Sequence, residues 1–369
     1  MEGPRAARKE ELQDLIDLIN YVFRVSANKE PDMHICFPLF ISENNLDNLL
    51  VYADRKTGKP ISHLGLWIND FSYFGESLKI GYIGSVCTHP DYRGQGLASK
   101  LLDVAFQQLE QNGVDLLLVS GSRSLYVRAG CRVVGVVNWY TIPKKEQDVW
   151  FDVTVDPPVE PLNELWMKEP LRTKRGLKNF EALVKAGALP RCMGSKSKVY
   201  LASIGGVPLA YVQAVHNKDG SVYIYEWAGD RSVIVDLVRF VANNTESDTS
   251  WPVPSWETAL LEFLSKMEAP VTKTGALSGT YKIIRFASFI EKVGRYLAEA
   301  FGGSPLTGFD QDGMQVLVYE DEKLALPPDE MLNLLFSGKL PDAVPPKMQA
   351  LFEKALPLPL PWPIGFDFI

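Results

Sequence analysis

The stretch IGSVCTHPDYRGQGLASKLL, residues 83–102, joins a strand-like run to a helix-like run through a turn that contains two glycines. Pro90 ends the apolar, β-branched part, and leucines at helical spacing follow the glycines. The first N–H groups of a helix lack intrahelical partners, and its N-terminus carries about half a positive charge. Glycines let a ligand approach the backbone closely, and Arg93 adds donors suited to phosphate. The turn therefore predicts an anion site at the start of the helix.

Two other phosphate-binding loops fit this stretch less well. A Walker loop requires Gly-Lys-Ser/Thr after four spacer residues, which is absent here. A dinucleotide fingerprint requires a third glycine where Ser99 stands and an acid after the next strand, and this sequence has neither. The residues alone also leave open a tight glycine turn with a surface arginine and no ligand.

The segments around the turn alternate between strand and helix patterns. Four strand-like runs are NLLVYAD (48–54), ISHLGLWIND (61–70), LKIGYIGSVCTHP (78–90) and VDLLLVS (114–120). The helix after the turn has an apolar face from Leu97 to Leu109 and a stop signal at Asn112-Gly113. This order predicts an α/β domain with a mixed sheet over residues 1–150.

A second domain is predicted over residues 151–278, after a proline-rich linker. YLASIGGVPLAYVQAVHNKDG (200–220) and SVYIYEWAGDRSVIVDLVRFVANN (221–244) repeat the hydrophobic pattern of the first domain. At the corresponding turn stands Asp230, an acid where an anion site would require none. We therefore expect a degenerate copy that keeps the fold and lacks the site, although chance similarity of two α/β segments is the alternative.

A smaller α+β domain is predicted over residues 279–369. It combines an apolar helix stripe at 286–301, two strand patterns and a helix pattern at 327–338. The tail LPLPLPWPIGFDFI (356–369) is rich in proline and aromatic residues. Disordered tails are usually polar, so we expect this one to pack into the body of the protein.

Composition narrows the class of protein. The 369 residues are 46% hydrophobic and 22% charged, which is typical of a globular protein with two or three domains. The net charge of -7 argues mildly against nucleic acid, and no apolar run approaches the roughly 20 residues that span a bilayer. The four cysteines form no CxxC pair, and the four histidines show no ligand spacing. We expect a cytoplasmic protein with reduced thiols, no metal, no membrane association and no nucleic-acid partner.

The segment VCTHPDYRGQGLASKLL (86–102) closely resembles the acetyl-coenzyme-A signature of the GNAT superfamily of N-acetyltransferases, Arg/Gln-x-x-Gly-x-Gly/Ala. The resemblance implies an acyl-CoA N-acyltransferase fold with acetyl-CoA as co-substrate. The backbone of Ser85, Val86 and Cys87 would face the pantetheine arm and the acetyl carbonyl. The diphosphate would lie on the turn made by Arg93, Gly94, Gln95, Gly96, Leu97, Ala98 and Ser99.

A second segment, SRSLYVRAGCR (122–132), resembles the Tyr-x-Arg-x-Gly-aromatic motif late in the same fold. Tyr126, Arg128 and Gly130 match, and Cys131 stands where an aromatic residue is usual. The resemblance implies that Tyr126 is the general acid for the leaving thiolate, a phenol of pKa about 10 acting on a thiol of about 8.5. A tyrosine that only hydrogen-bonds the sulfur or fills the core is the alternative.

The whole chain is similar to the enhanced-intracellular-survival (Eis) type of acetyltransferase, which joins two GNAT folds to a sterol-carrier-like domain. In that family the terminal carboxylate projects into the active site as the base, which implies the α-carboxylate of Ile369, positioned by Phe366 and Phe368. An unperturbed α-carboxyl group has a pKa of about 3.3–3.7, so it would act through water or by binding the substrate cation. A tail that only closes the third domain is the alternative.

The predicted reaction is direct attack of a primary amine on the thioester of acetyl-CoA in a ternary complex. The acceptor is a small molecule or a peptide, and a homo-oligomer is left open because family relatives are often hexamers. A covalent route through Cys87, with His89 as base, is the alternative mechanism. A non-catalytic protein that binds acyl-CoA or a lipid is the alternative function.

Further residues are weaker candidates for the site that binds the amine acceptor. Three acids, Asp70, Glu76 and Glu226, stand on or beside strand patterns and would attract an amine, although surface carboxylates are common. A group of aromatic residues would wall an acceptor pocket or belong to the core: Trp67, Phe71, Tyr73 and Phe74.

Overall fold

The computed structural model describes residues 1–145 and 149–368. Over this part of the chain the strands are β1 (Glu2–Ala6), β2 (Leu49–Ala53), β3 (Pro60–Tyr73), β4 (Glu76–Thr88), β5 (Leu116–Val119), β6 (Val137–Ile142), β7 (Asp152–Val155), β8 (Leu171–Thr173), β9 (Lys196–Ile204), β10 (Val207–His216), β11 (Val222–Gly229), β12 (Thr249–Pro254), β13 (Val271–Gly275), β14 (Thr280–Ile283), β15 (Thr307–Gln311), β16 (Met314–Tyr319) and β17 (Glu322–Leu326).

The α-helices of the same residues are α1 (Leu12–Phe23), α2 (Met33–Cys36), α3 (Leu97–Gln111), α4 (Ser124–Arg128), α5 (Val159–Trp166), α6 (Leu177–Ala186), α7 (Ala188–Met193), α8 (Arg231–Asn243), α9 (Thr258–Lys266), α10 (Phe286–Phe301), α11 (Pro328–Ser337) and α12 (Pro346–Ala355). The strand and helix patterns of the sequence are confirmed at each predicted place. Strand β15 and helix α12, which the sequence patterns did not predict, complete the third segment.

The first sheet contains β4, the strand that precedes the Arg-Gly-Gln-Gly turn. Its order is β1-β2-β3-β4-β5-β14, and β8 pairs with one end of β3. Strands β4 and β5 are parallel, and α3 crosses between them, as the strand, turn, helix, strand pattern predicts. The remaining pairs in this sheet are antiparallel, so the sheet is mixed.

The second sheet repeats this topology. Its order is β13-β6-β12-β11-β10-β9-β7. Strands β10 and β11 are antiparallel, β11 and β12 are parallel, and α8 connects the parallel pair. Two mixed sheets with the same central unit confirm the predicted fold class of tandem α/β units.

The chain crosses between the two sheets near both predicted domain borders. Strand β6 precedes the border at 150, yet it pairs with β12 and β13 of the second sheet. Strand β14 follows the border at 278, yet it pairs with β5 of the first sheet. Strand β8 also follows the border at 150, and it pairs with β3 of the first sheet. Sheet membership and chain order therefore differ at three strands, and the division into 1–150, 151–278 and 279–369 stays a prediction.

Both faces of the first sheet are covered. Neighbouring residues of a strand point to opposite faces, and Leu117 of β5 packs with Leu101 of α3 while Leu118 packs with Phe289 of α10. The third segment therefore closes the face that α3 leaves open. Its own sheet, β15-β16-β17, lies beyond α10.

The tail packs into the body of the protein, as its composition predicted. Leu358, Leu360, Ile364 and Phe366 are all buried. The indole N–H of Trp362 donates to the carbonyl of Tyr225 at 2.7 Å, which ties the tail to the second sheet. Hydrophobic burial of this kind stabilises by roughly 25 cal/mol per Å² of apolar surface, so the tail is held along its length.

No helix in the described part of the chain is both long enough and apolar enough to span a membrane.

Candidate functional site

The first sheet splits at the carboxyl end of β4. The parallel pairing of β4 with β5 runs from Ile80 to Ile83 and stops, whereas β4 itself continues to Thr88. Ser85 has a φ of 49°, and the register against β3 slips at this point. A bulge of this kind re-aims the strand and ends regular pairing. The backbone of the next residues is therefore released from β5.

The Arg-Gly-Gln-Gly turn lies directly after this split. Gly94 and Gly96 have φ values of 77° and 70°, a left-handed backbone that favours glycine. A Cβ atom at either glycine would meet nothing within 4 Å. Helix α3 begins at Leu97, and no side chain caps its N-terminus. The first N–H groups of α3 thus face open space, as an anion site requires.

The split, the turn and α4 enclose one cleft of about 580 Å³. It brings together most of the predicted site residues: Val86, Cys87, Arg93, Gly94, Gln95, Gly96, Leu97, Ala98, Ser99 and Tyr126. Ser85 does not line this cleft. Ile369 lies outside the described residues, so the predicted base is not located here.

The cleft is also lined by residues that were not predicted as site residues from the sequence. Arg123 and Arg128 lie at the two ends of α4 and add positive charge opposite the turn. Val22 and Phe23, at the end of α1, form an apolar part of the wall. Both arginines stand within the second motif, so counting its basic residues as phosphate ligands would have found them. The two α1 residues carry no such signal.

Tyr126 lies on α4 with 6% of its surface exposed. Burial raises its pKa to about 12, and the positive charge of Arg123 partly opposes this shift. The hydroxyl group is therefore protonated at neutral pH and is available as a donor. The same shift makes Tyr126 a weaker acid than an ordinary tyrosine.

Cys87 is poorly suited to a covalent mechanism. Burial raises the pKa of its thiol to about 12, and only a thiolate is an effective nucleophile. His89 stacks on Tyr21 with ring centroids 5.4 Å apart, and its Nδ1 accepts the backbone N–H of Asp91 at 3.4 Å. The histidine proposed as a base is thus occupied elsewhere.

His63 fixes the hydroxyl of Ser85. Its Nδ1 lies 3.0 Å from the carbonyl of Leu50, which can only accept, so Nδ1 carries the proton. Its Nε2 lies 3.0 Å from the Ser85 hydroxyl and therefore accepts from it. Burial lowers the pKa of His63 to about 4, which keeps the ring neutral. The hydrogen bond from the Ser85 hydroxyl to His63 thus ties the bulged residue of β4 to β3.

In the second copy, an aspartate side chain caps the helix start that corresponds to the start of α3. The carboxylate of Asp230 accepts the backbone N–H groups of Ser232 at 2.8 Å and Val233 at 3.2 Å. Arg231 is held by Glu169 at 2.8 Å and Glu257 at 3.0 Å. An aspartate cap satisfies the donors that an anion would otherwise bind. This arrangement fits the expected loss of the site in the degenerate copy.

A buried arginine anchors the end of the tail. Arg175 contacts Glu226 at 2.8 Å and Asp367 at 2.6 Å, and its guanidinium lies 3.9 Å from the ring centroid of Trp166. Glu226 also accepts the backbone N–H of Phe366. The tail is therefore tied to the second sheet two residues before its end.

Two of the three weaker acidic candidates, Glu226 and Glu76, are held by arginines and are not free to attract an amine. Glu226 is buried, and its charge is compensated by Arg175, although burial raises its pKa. Glu76 pairs with Arg295 at 2.8 Å. Asp70 is exposed on β3.

The tail ends beside a small cavity of about 30 Å³, named here the tail cavity. Its lining includes Cys36, Phe37, Phe40, Trp67, Asn69, Arg175, Asp367 and Phe368. Phe37 and Phe368 pack with ring centroids 6.1 Å apart. Among the aromatic candidates only Trp67 lines it, since Phe71 and Tyr73 are core residues and Phe74 stacks on Tyr296. Cys87, which lines the cleft, belongs to the apolar cluster against which Phe368 packs, so the cavity and the cleft border the same cluster.

Residues 4–134 match the family model described as an acetyltransferase (GNAT) domain. The first part of this chain is thus similar to a GNAT domain. The motifs of the turn and of α4 both lie inside the matched range, and such a domain supports acyl-CoA-dependent N-acyltransferase activity.

Three solved structures share the fold over nearly the whole chain. A GCN5-related N-acetyltransferase from Anabaena variabilis is 15% identical with a TM-score of 0.63, covering 90% of this chain and 89% of its own. A probable N-acyltransferase from Enterococcus faecalis is 16% identical with a TM-score of 0.66 and the same coverage of both chains. Eis1 from Mycobacterium abscessus is 11% identical with a TM-score of 0.61, covering 91% of this chain and 90% of its own.

A comparison with curated proteins finds no significant match. The shared fold agrees with the predicted Eis-like layout, while the likeness of the third segment to a sterol carrier stays a prediction. No group of three or more His, Cys, Asp or Glu side chains is arranged to hold a metal ion in residues 1–145 and 149–368.

The neutral state of His63 predicts a pH dependence of stability. The folded pKa of about 4 lies below the ordinary value of 6.5, so the unfolded chain takes up the proton first as pH falls. The free energy of unfolding should therefore fall by about 2 kcal/mol from this group between pH 7 and pH 5. Urea unfolding at both pH values measures it.

The variant His63→Gln isolates this contribution because glutamine does not titrate. Its free energy of unfolding should fall less than that of the parent over the same pH interval. Equal losses in the two proteins would show that His63 does not titrate between these pH values on unfolding.

Proposed function

We propose that this protein transfers an acetyl group from acetyl-CoA to a primary amine, by direct attack within a ternary complex. The observation that carries the proposal is the single cleft in which the glycine turn, the uncapped start of α3, the end of β4 and Tyr126 meet. An anion-binding helix start beside a released strand and a protonated phenol suits a coenzyme thioester.

The chain's own groups divide into a holding part and a reacting part. Acetyl-CoA, when bound, supplies the activated acetyl thioester. Arg93 and the N–H groups of the turn would hold the diphosphate, with Arg123 and Arg128 adding positive charge. A backbone N–H near Val86 or Cys87 would polarise the thioester carbonyl, because β5 no longer pairs with this part of β4.

Tyr126 would stabilise the leaving sulfur. Its hydroxyl is protonated, and donation of that proton or of a hydrogen bond lowers the cost of the developing thiolate. The high pKa of Cys87 favours direct attack over a covalent enzyme intermediate. No second nucleophile is required, since both substrates are held together.

The α-carboxylate of Ile369 is the proposed base. Support comes from the tail, which is anchored by Arg175 through Asp367 and reaches the tail cavity at Phe368. That cavity has room for about two water-sized groups, enough for the amine end of an acceptor. The carboxylate would act through a water or by binding the ammonium group. The acceptor itself is a small molecule or a peptide with a primary amine.

The direct test is release of coenzyme thiol from acetyl-CoA across a panel of polyamines, aminoglycosides, lysine peptides and aryl amines. We expect release with at least one class and a matching acetylated product by mass. The Arg93→Glu variant should weaken coenzyme affinity by roughly tenfold or more, because a charge-assisted hydrogen bond contributes about 1.5–3 kcal/mol. Calorimetry measures this affinity without turnover.

Lys354→Glu is the matched control, since it makes the same charge change on an exposed position of α12 outside the cleft. Its coenzyme affinity should equal that of the parent. Coenzyme binding that is absent in the parent, or unchanged in Arg93→Glu, would remove the basis of the proposal. Tight binding with no release across the panel would favour a non-catalytic acyl-CoA-binding protein.

Removal of the phenolic hydroxyl should slow the chemical step. We expect Tyr126→Phe to lower kcat roughly 100-fold, the lower range for loss of a general acid, with little change in coenzyme affinity. Steady-state rates at saturating acetyl-CoA provide the measurement. Tyr200→Phe removes a hydroxyl that contacts His216 in the second sheet and serves as the control. A rate within a few-fold of the parent in Tyr126→Phe contradicts the assigned role.

Deletion of Ile369 should move the terminal carboxylate back by one residue. We expect kcat to fall at least tenfold while calorimetric coenzyme affinity is kept, because the base would lie one residue, about 3.5 Å, short of its place. The variant Ile369→Leu keeps both the chain length and the apolar side chain, and its kcat should stay within a few-fold of the parent. Full activity in the deletion variant would exclude the tail from the mechanism.

A further inference from the structure

Two cysteines from distant parts of the chain share one arginine. Cys36 ends α2, Cys192 lies on α7, and these two helices pack against each other. The Nη2 atom of Arg24 lies 3.1 Å from the sulfur of Cys36 and 3.4 Å from the sulfur of Cys192. Since one nitrogen contacts both, the two sulfur atoms are close neighbours.

The arginine is a fixed positive charge. Arg24 is 5% exposed, and its Nε lies 2.9 Å from a carboxylate oxygen of Asp32. Asp32 is also approached by Arg191 at 3.8 Å. A guanidinium held in this way cannot swing out to solvent without breaking its ion pair. The proposed acetyl transfer gives it no role.

This environment distinguishes Cys192 from the other thiols. A hydrogen bond from the Cys36 thiol lowers the pKa of Cys192, and the charge of Arg24 lowers it further, against the opposing effect of burial. By contrast, burial raises the pKa of Cys131 to about 11 and that of Cys87 to about 12. Thiolate character governs reactivity toward oxidants.

The two thiols differ in exposure. Cys192 is partly exposed, whereas Cys36 is buried and lines the tail cavity. Peroxide from solvent should therefore react first with Cys192, and Cys36 is the neighbouring thiol that could resolve the product.

We propose that Cys36 and Cys192 are a reversible oxidation site that closes to a disulfide with hydrogen peroxide. The Cys192 thiolate attacks one peroxide oxygen, the O–O bond breaks, and the leaving hydroxide takes a proton to become water. The Cys36 sulfur then attacks the resulting sulfenic sulfur, loses its own proton, and displaces a second water. Two thiols are oxidised by two electrons in total, and one peroxide is reduced.

The bond would cross-link the segment before β2 to the segment before β9. Phe37, the neighbour of Cys36, packs on Phe368 of the tail. Oxidation therefore acts at the wall of the tail cavity and not at the coenzyme cleft. The inference rests on the thiols and Arg24 and is independent of the proposed acetyl transfer.

The test uses the full-length protein treated with a few equivalents of hydrogen peroxide, quenched with a thiol alkylating reagent and digested without reduction. Mass spectrometry is expected to find a Cys36–Cys192 linked peptide that disappears on treatment with dithiothreitol. The Cys192 peptide should lose its free thiol at least tenfold faster than the Cys131 peptide. In Cys36→Ser the link should be absent, and dimedone should trap the sulfenic acid on Cys192.

Cys131→Ser is the control, and it should form the link at the parent's rate. Oxidation of Cys192 to sulfinic acid with no linked peptide in the parent overturns the proposal. So does equal oxidation of Cys131 and Cys192, since Arg24 would then give no advantage. Circular dichroism on each variant verifies that the fold is kept.

Discussion

The candidate site depends on one constraint, the end of parallel pairing between β4 and β5 at Ile83. Backbone N–H and C=O groups that leave a ladder must find other partners or face solvent or a ligand. The bulge at Ser85, supported by the neutral ring of His63, enforces the separation within a few residues. The glycine turn and the uncapped start of α3 then follow at the same edge of the sheet. A regular sheet at this place would leave no cleft.

The two copies of the fold show how small a change removes an anion site. In the first copy Gly96 precedes the helix and offers no side chain, so the N–H groups stay available. In the second copy Asp230 binds the equivalent groups itself, and Arg231 is occupied by two glutamates. Both helices pack on their sheets in the same way. The difference lies in the backbone N–H groups at the helix start, which lack a side-chain partner in the first copy and have one in the second.

The buried cluster of Arg175, Glu226 and Asp367 joins parts of the chain that are far apart in sequence. Buried ion pairs gain little stability over apolar contacts, because desolvation offsets most of their attraction. They do penalise misplaced partners strongly, since a lone buried charge is costly. We infer that this cluster fixes the position of the last residues of the tail and adds little to the free energy of unfolding. Its placement beside Phe366 is what brings Phe368 to the tail cavity.

The sequence by itself determined strands β2 to β5, helix α3 and the glycine turn between β4 and α3, because these follow from local periodicity and turn chemistry. Its short motifs also named Arg93 and Tyr126 as candidate site residues. It also predicted the packing of the apolar tail. Tertiary structure alone decided that β6 and β14 join sheets other than those of their sequence neighbours, since strand pairing is a long-range choice that local pattern does not encode. It likewise decided that Glu226 binds Arg175 and that Cys36 meets Cys192, because such contacts depend on how distant segments pack.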